Sequence, residues 1–440
     1  MIEWCKRSPD IWDVIIIGGG ATGLGTAVDA ASRGYKTLLL EQSDFAKGTS
    51  SRSTKLIHGG LRYLKQGNIG LVIEALKERG LLCKNAPHLV NHLGFLLPFY
   101  RWWEKPFYTI GLKLYDLLSG SLGLEKSHLI SKEELQIRFP TVRKGHLQGG
   151  AVFYDGQFDD ARLAITLAQT AEDLGGVVVN YMSVTGLIKE EERVVGVEAE
   201  DLETGDSYRL RAKVVINATG PFSDVMRKLD HPAEAKIVPS QGIHLVLDRK
   251  FMPGDLSLLI PETEDGRILF FIPWHRHLLV GTTDTPVSSP ALEPIALDRE
   301  IDYLLKYAGT YLTHRPTRSD VLSVFAGIRP LGKKGGIKDT IYNQVEHAPG
   351  IVGNPPYCGM DFIYGLEDND TYFKGNIVDP QQGKVYVSEV WAENGTLKVR
   401  GKLWVFGKTM TWYPAEASDF PKGFKLPDLD SMVPVIPQTK

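Results

Sequence analysis

The feature that most constrains this chain is the stretch from Trp12 to Gln42, which contains two short apolar runs separated by closely spaced glycines. The first run, Val14 to Ile17, is continuous and β-branched, as expected of a parallel strand that is buried on both faces. Mostly small residues from Gly23 to Ser32 predict a helix that packs closely on a sheet, and Lys36 to Leu40 predicts a second strand. This order of strand, turn, helix and strand predicts a βαβ unit.

Three glycines in this unit have the spacing G-x-G-x-x-G, at Gly18, Gly20 and Gly23. In that motif the first glycine permits a tight turn, the second lets the backbone approach a pyrophosphate, and the third lets helix and strand pack closely. Glu41 ends the second strand 23 residues after Gly18 (41 − 18), near the ~20 expected of an acid that binds ribose. The pattern predicts dinucleotide binding, and the acid argues against a ribose 2′-phosphate without separating NAD from FAD. A βαβ unit with a purely structural role is the alternative.

Composition places further limits on this chain. Its 440 residues, 43% of them hydrophobic, allow two or three domains, and a net charge of −3 offers no basic field for nucleic acid. The first ten residues carry charges of both signs without an apolar core, so we expect no signal peptide and a cytoplasmic location. Three cysteines stand far apart and outside any zinc pattern, which predicts reduced thiols and no metal site: Cys5, Cys83 and Cys358.

Two later segments extend the nucleotide hypothesis. Lys47 to Leu64 is dense in hydroxyl, basic and glycine residues, which suits a loop that runs along an anionic cofactor, although a solvated polar loop has a similar composition. Lys213 to Asp224 contains a strand that enters a turn at Gly220, and an ordinary β-turn is the alternative there. A second strand-to-glycine turn so late in the chain indicates a nucleotide domain that is split in sequence.

Five motifs in order give the chain a specific resemblance: IIIGGGATGLGTA, TSSRSTKLIHGGLRYL, NATGPFSD, GTTDTP and FAGIRPL. Together, from about Trp12 to Leu331, they resemble the FAD-dependent, aerobic-type glycerol-3-phosphate dehydrogenases, and KLIHGGLRYL is close to diagnostic of that family. The resemblance implies an α/β fold in which an FAD-binding Rossmann-like (glutathione-reductase-like) domain carries an α+β substrate domain. It implies FAD as cofactor, oxidation of sn-glycerol 3-phosphate to dihydroxyacetone phosphate, and transfer of the electrons to membrane quinone.

On this basis we expect a discontinuous FAD-binding domain (1–95 and 150–235), a substrate domain (96–149 and 236–331), a linker or loop (332–357) and a β-rich module (358–440). The resemblance also assigns residues to the cofactor, namely Gly18, Gly20, Gly23, Glu41, Ser50, Ser51, Lys55, Leu56, Ile57, His58 and Gly220. It assigns four to the substrate and catalysis, namely Arg62, Tyr63, His244 and Arg329. Arginine suits the phosphate and histidine suits removal of the hydroxyl proton, for which we favour His244 over His58, with an arginine or solvent as further alternatives. Without the resemblance, a histidine in the apolar run from Ile243 to Leu247 is typical of the core.

Residues 99–120 are rich in aromatic and apolar side chains with interleaved Arg101, Lys105 and Lys113. This composition is typical of an element that lies at a membrane surface, which fits a family that is peripheral on the inner face of the membrane. A helix packed in the core of the substrate domain is the alternative.

The resemblance ends at Leu331. Members of the family continue into a turn of the type GGKWTTYR and a helical domain, and residues 332–440 contain neither. From Asn376 to Pro414 short β-type runs alternate with turns, and Asn394-Gly395 is a strong hairpin signal. This part resembles a portion of a small bacterial β-barrel domain of unknown function. We therefore expect an all-β segment joined near Gly332, with strand edges left unpaired.

Two other functions stay open on the sequence alone. The chain could be a non-catalytic or impaired flavoprotein whose β module is an interaction domain, because the expected flavin-closing segment is absent. It could also be a related flavin oxidase that acts on a small hydroxy or amino acid.

Overall fold

A computed structural model describes residues 11–65, 68–232, 234–261, 263, 267–332, 363–368, 372–379, 384–393, 396–403 and 406–412. The predicted linker after Gly332 lies outside these residues up to position 357, as do Cys5 and Cys358, whereas Cys83 is a free, half-buried thiol. In the described part, no helix is both long enough and apolar enough to cross a membrane.

The described strands number twenty-one and belong to three sheets. In chain order they are β1 Trp12–Ile17, β2 Thr37–Leu40, β3 Leu56–Ile57, β4 Val90–Phe99, β5 His128–Ile130, β6 Gly149–Phe158, β7 Val177–Val179, β8 Met182–Glu190, β9 Arg193–Asp201, β10 Ser207–Asn217, β11 Ile237–Asp248, β12 Ser257–Ile260, β13 Leu269–Trp274, β14 His277–Gly281, β15 Thr285–Pro286, β16 Val321–Gly332, β17 Ile363–Asp368, β18 Phe373–Asp379, β19 Lys384–Glu393, β20 Thr396–Leu403 and β21 Phe406–Trp412.

The described α-helices lie between the strands of the first two sheets. They are α1 Ala21–Ser32, α2 Leu61–Lys65, α3 Ile69–Asn85, α4 Glu104–Leu118, α5 Lys132–Arg138, α6 Asp160–Asp173, α7 Ser223–Asp230 and α8 Asp298–Tyr311.

The first sheet has the strand order β7-β2-β1-β10-β9-β8, and β1 pairs in parallel with β2 and with β10. Strand β1 is buried on both faces, as its composition predicts. Ile16 packs with Leu24 of α1 and Ala168 of α6, whereas Ile15 and Ile17 belong to the core on the opposite face. The βαβ unit of the sequence analysis is therefore present, with β10 as the late strand that completes the split nucleotide fold.

The second sheet is mixed and follows the path β15-β11-β14-β13-β12-β4-β6-β3, with β16 paired to β11 and β5 paired to β6. Its longest pairing is the antiparallel ladder of β11 and β16, which aligns Ser240 with Arg329 and His244 with Phe325. Side chains such as Leu245, Phe271 and Leu304 form the core between this sheet and α8.

The chain divides into two compact units. The first holds the described residues before Gly60 and those from Ile73 to Gly332, and the second holds Gly60–Val72 with the strands after position 362. The C-terminal sheet is antiparallel in the order β17-β18-β19-β20-β21, so the all-β segment is confirmed. Pairing of Glu393 with Thr396 forms the expected hairpin, although Asn394 and Gly395 themselves lie outside the described residues. Within its described strands this sheet is open. The domain boundaries proposed from the sequence stay a prediction.

A fully buried ion pair joins α3 to β6 in the first unit. Arg79 Nη1 lies 2.5 Å from Asp155 Oδ1, with 1% and 5% of the two side chains exposed. Tyr115 Oη donates to the same carboxylate at 2.8 Å, and the Gly59 N–H donates to Tyr115 Oη at 2.8 Å. Burial raises the pKa of Asp155, and the neighbouring guanidinium opposes that rise. The two buried charges thus compensate each other, although Arg79 Nε has no hydrogen-bond partner among the described residues.

We expect Asp155→Asn to lower the free energy of unfolding by about 3–5 kcal/mol, because it leaves a buried guanidinium without its counter-charge. Glu198→Gln is the matched control, since Glu198 pairs with Arg209 in a bridge whose side chains are 44% and 71% exposed. That control should cost less than about 1 kcal/mol. Urea denaturation of both variants measures the difference, and equal losses would contradict this account of the buried pair.

Candidate active site

The N-terminus of α1 lies directly against the turn that follows β1, and two glycines make this approach possible. Gly18 has a φ of +111°, and a Cβ at Gly23 would lie 1.9 Å from the carbonyl oxygen of Gly18. No side chain other than hydrogen fits at either position. Gly20 is the N-cap of α1 and has no side chain to cap it, so the first turn of the helix can face a ligand.

Residues from the three predicted nucleotide segments line one cleft of about 340 Å³. The lining includes Gly18, Gly20, Glu41, Lys47, Thr49, Ser50, Thr219 and Gly220. The glycine turn and the polar loop are also in direct contact, because the Ala21 N–H donates to Ser50 Oγ at 2.9 Å. The cleft has the size of a small-molecule site and suits the nucleotide part of a dinucleotide.

Glu41 lines this cleft and is hydrogen-bonded to two backbone N–H groups. Its Oε2 accepts from the Gly19 N–H at 2.6 Å and its Oε1 accepts from the Ser43 N–H at 2.9 Å. Burial raises the pKa of Glu41, while these backbone donors favour the carboxylate. Each oxygen keeps a further lone pair with which it could accept a ribose hydroxyl.

The remaining predicted cofactor residues occupy different environments along the loop. Lys55 is buried, and its Nζ donates to Asp160 Oδ1 and to the Ser51 carbonyl oxygen, both at 2.6 Å. Leu56 and Ile57 form β3, and the exposed His58 ring lies 6.3 Å from the Phe270 ring. Lys55 therefore holds the loop to the N-terminus of α6 rather than lining the cleft.

The structure brings two of the four predicted substrate residues to neighbouring strands. His244 on β11 is 2% exposed and stacks on Phe325 with ring centroids 4.8 Å apart. Its Nε2 shares a 3.0 Å hydrogen bond with Thr54 Oγ1, and its Nδ1 has no partner among the described residues. Burial, assisted by Arg329 and Lys55, lowers the pKa of His244 to about 3. The ring is therefore neutral at neutral pH, but it would hold an added proton weakly.

Arg329 on β16 is oriented by the GTTDTP motif. Its Nη1 donates to the Thr283 carbonyl oxygen and its Nη2 donates to Thr282 Oγ1, both at 3.0 Å, and Asp284 lies 3.4 Å from Nη1. Burial lowers the pKa of Arg329 below its usual value, although the guanidinium stays charged at any physiological pH. Thr282 and Thr283 were not among the residues predicted for the site, although the motif GTTDTP contains both.

The other two predicted substrate residues, Arg62 and Tyr63, lie on α2 in the second compact unit. Tyr63 is 41% exposed, and the side chain of Arg62 is outside the described part of the chain. Their roles stay a prediction. Thr54, the hydrogen-bond partner of His244, was also not predicted as a site residue. Its position within the motif TSSRSTKLIHGGLRYL was the sequence signal that pointed to it.

We expect Gly23→Ala to weaken FAD binding by at least ~100-fold, because the new methyl group must displace the turn that cradles the phosphates. Gly25→Ala is the matched control, since Gly25 lies in the same helix and an added Cβ there meets no atom within 4 Å. Quenching of flavin fluorescence during titration of the apoprotein gives both dissociation constants. A similar FAD affinity for the two variants would show that the close approach at Gly23 is not needed.

The chain is similar to several known proteins. The chain is 44% identical over 342 residues to the mitochondrial glycerol-3-phosphate dehydrogenase of Mus musculus, which covers 74% of this chain and 47% of the relative. The chain thus spans about half the length of the curated relatives it matches.

Among solved structures, the glycerol-3-phosphate dehydrogenase of Bacillus halodurans complexed with FAD is 34% identical, with a TM-score of 0.62 over 75% of this chain and 59% of that one. The L-alpha-glycerophosphate oxidase of Mycoplasma pneumoniae, with FAD bound, is 20% identical with a TM-score of 0.60 over 74% and 85% of the two chains, and it supports the fold alone. The family described as FAD dependent oxidoreductase (DAO) matches residues 13–362. The chain therefore belongs to the DAO family of FAD-dependent oxidoreductases.

Proposed function

We propose that this chain oxidises sn-glycerol 3-phosphate to dihydroxyacetone phosphate, with FAD as the immediate oxidant and membrane quinone as the final acceptor. The observation that carries the proposal is the similarity to glycerol-3-phosphate dehydrogenases over 336–346 residues, together with the motif-held Arg329. When bound, FAD supplies the hydride acceptor for the carbon of the secondary alcohol.

Arg329 is the proposed phosphate ligand in the first unit. Three of its contacts are with GTTDTP, and its Nε–H and one Nη2–H have no partner among the described residues. A planar guanidinium with these two N–H donors can bind two oxygens of a phosphate. The bonds to Thr282 and Thr283 limit the rotation of the guanidinium. We propose Arg62 and Tyr63 as further contacts to the substrate.

Neutral His244 is the proposed acceptor of the hydroxyl proton. Its ring is fixed by the Phe325 stack and by the bond to Thr54, so the imidazole needs little reorientation during the reaction. The lowered pKa makes His244 a weak base, which means that proton removal must be concerted with hydride loss or be followed by rapid transfer to solvent.

We expect the FAD-loaded chain to lose its visible flavin absorbance when sn-glycerol 3-phosphate is added without oxygen, and to keep it with glycerol. Arg329→Gln should raise the substrate concentration needed for half-bleaching by roughly 30-fold or more, because a charged partner in a binding site is worth ~2–5 kcal/mol.

An unbleached spectrum in the native chain would overturn the proposed reaction and favour a non-catalytic flavoprotein. Bleaching followed by oxygen consumption without quinone would instead indicate an oxidase. Bleaching by a hydroxy or amino acid but not by glycerol 3-phosphate would show that the substrate belongs to one of those classes instead.

We also propose that residues 99–120 contact a membrane surface at the inner face of the cell membrane. The relative from Mus musculus is named as a mitochondrial enzyme. Leu112 and Tyr115 of α4 are buried, as in the core-helix alternative, but the opposite side of the helix is apolar and exposed. Ile110 and Leu117 are 65% and 75% exposed and lie on that side, and Trp102, which is 83% exposed, lies two residues before the helix begins. Exposed apolar side chains next to lysines suit the headgroup region of a bilayer.

Replacement of Trp102, Ile110 and Leu117 by serine should lower vesicle partitioning roughly tenfold or more, which corresponds to ~1.4 kcal/mol of lost apolar burial. Co-sedimentation with phosphatidylglycerol–phosphatidylcholine vesicles measures the change. The control replaces Ile137 and Ile295, which are 80% and 81% exposed, by serine. Unchanged partitioning of the triple variant, or an equal loss in the control, would remove α4 from the proposed membrane contact.

A further inference from the structure

We propose that Glu300 and Thr283 are positioning residues that set the geometry of Arg329 and of the strand segment that carries His244. This inference rests on the function proposed above and extends it to residues that contact neither substrate nor cofactor. Helix α8, which carries Glu300, played no part in the sequence analysis.

Glu300 is a buried carboxylate with 3% of its surface exposed, and its hydrogen-bond partners among the described residues are all neutral. Four neutral donors satisfy it. Its Oε1 accepts from Thr283 Oγ1 at 2.9 Å and from Thr285 Oγ1 at 2.7 Å, and its Oε2 accepts from Gln241 Nε2 at 2.8 Å and from the Leu297 N–H at 3.0 Å. Because a buried carboxylate is costly unless its lone pairs are occupied, these donors are held at fixed places around it.

Thr283 connects this carboxylate to both predicted substrate residues of the first unit. Its hydroxyl donates to Glu300 and accepts from the Ile243 N–H at 3.0 Å, immediately before His244 in β11. Its carbonyl oxygen accepts from Arg329 Nη1 at 3.0 Å. Thr283 is 1% exposed, so no water competes for these bonds. One residue therefore contacts both the arginine and the strand segment that carries the histidine.

The arginine has little freedom to adapt if Thr283 moves. A Cβ at Gly242 would lie 2.6 Å from Arg329 Nη2 and 2.6 Å from Thr282 Oγ1, so the guanidinium packs on bare backbone. A shift of the Thr283 carbonyl changes the direction of the two donors that Arg329 keeps for a phosphate. A displacement on the order of 1 Å is enough to weaken a reaction about 100-fold.

Thr285 supplies a matched control for Thr283. Both hydroxyls donate to the same Oε1 of Glu300, and no bond of Thr285 involves Arg329 or Ile243 in the described structure. Thr283→Val and Thr285→Val each remove one hydroxyl from the carboxylate with almost no change in volume. Thr283→Ser keeps the hydroxyl and should therefore retain the native KM and the native exchange rate.

The test measures kcat and KM for glycerol 3-phosphate, the FAD dissociation constant, and hydrogen–deuterium exchange of the peptide 240–247. We expect Thr283→Val to raise KM about 10- to 100-fold, to change FAD affinity less than about twofold, and to speed exchange at Ile243. Glu300→Gln should also raise KM and speed exchange at Ile243. Thr283→Ser and Thr285→Val should stay within about threefold of the native KM, with native exchange.

Equal effects of Thr283→Val and Thr285→Val on KM, or unchanged exchange in Thr283→Val, would overturn the positioning role and leave Glu300 as a stabilising group. The proposed function fails separately, when the native FAD-loaded chain does not respond to glycerol 3-phosphate. In that event the exchange measurement still decides whether Thr283 positions the His244 strand.

Discussion

The close contact between the first turn of α1 and the end of β1 is the constraint on which the rest of the cofactor site depends. With a methyl group at Gly23 the helix could not lie so close to the Gly18 carbonyl, and the N–H groups of its first turn would point elsewhere. The bonds from Gly19 to Glu41 and from Ala21 to Ser50 both start from this turn. The acid and the polar loop are thus placed by the same contact that exposes the helix terminus.

The loop that begins at Lys47 joins the two sheets of the first unit. Thr49 Oγ1 donates to the Ile328 carbonyl oxygen at 2.5 Å, next to Arg329, while Ser50 contacts the helix of the nucleotide fold. Lys55 fixes the other end of the loop to α6. A ligand in the cleft therefore contacts a segment whose Thr49 side chain is bonded to the strand that carries the phosphate-binding candidate.

Three of the buried carboxylates of the first unit are stabilised in different ways. Asp155 is matched by a guanidinium, Asp160 by an ammonium, and Glu300 by neutral donors alone. Each lies where a helix or strand meets a segment of the predicted site. An unsatisfied buried charge costs several kcal/mol, so each carboxylate must keep its hydrogen-bond partners. Because those partners come from segments that are distant in sequence, the bonds hold the segments together.

The sequence alone determined the βαβ unit, the glycine turn, the strand near Gly220 and the C-terminal hairpins, because spacing and turn chemistry are local properties. It also pointed to FAD through motif order. Only the tertiary structure decided that Lys55 is held in a buried ion pair, that His244 is stacked and has a pKa lowered by burial, and that Thr283 joins three segments. Those outcomes depend on which distant residues become neighbours and on how much water they exclude, and no local pattern encodes either.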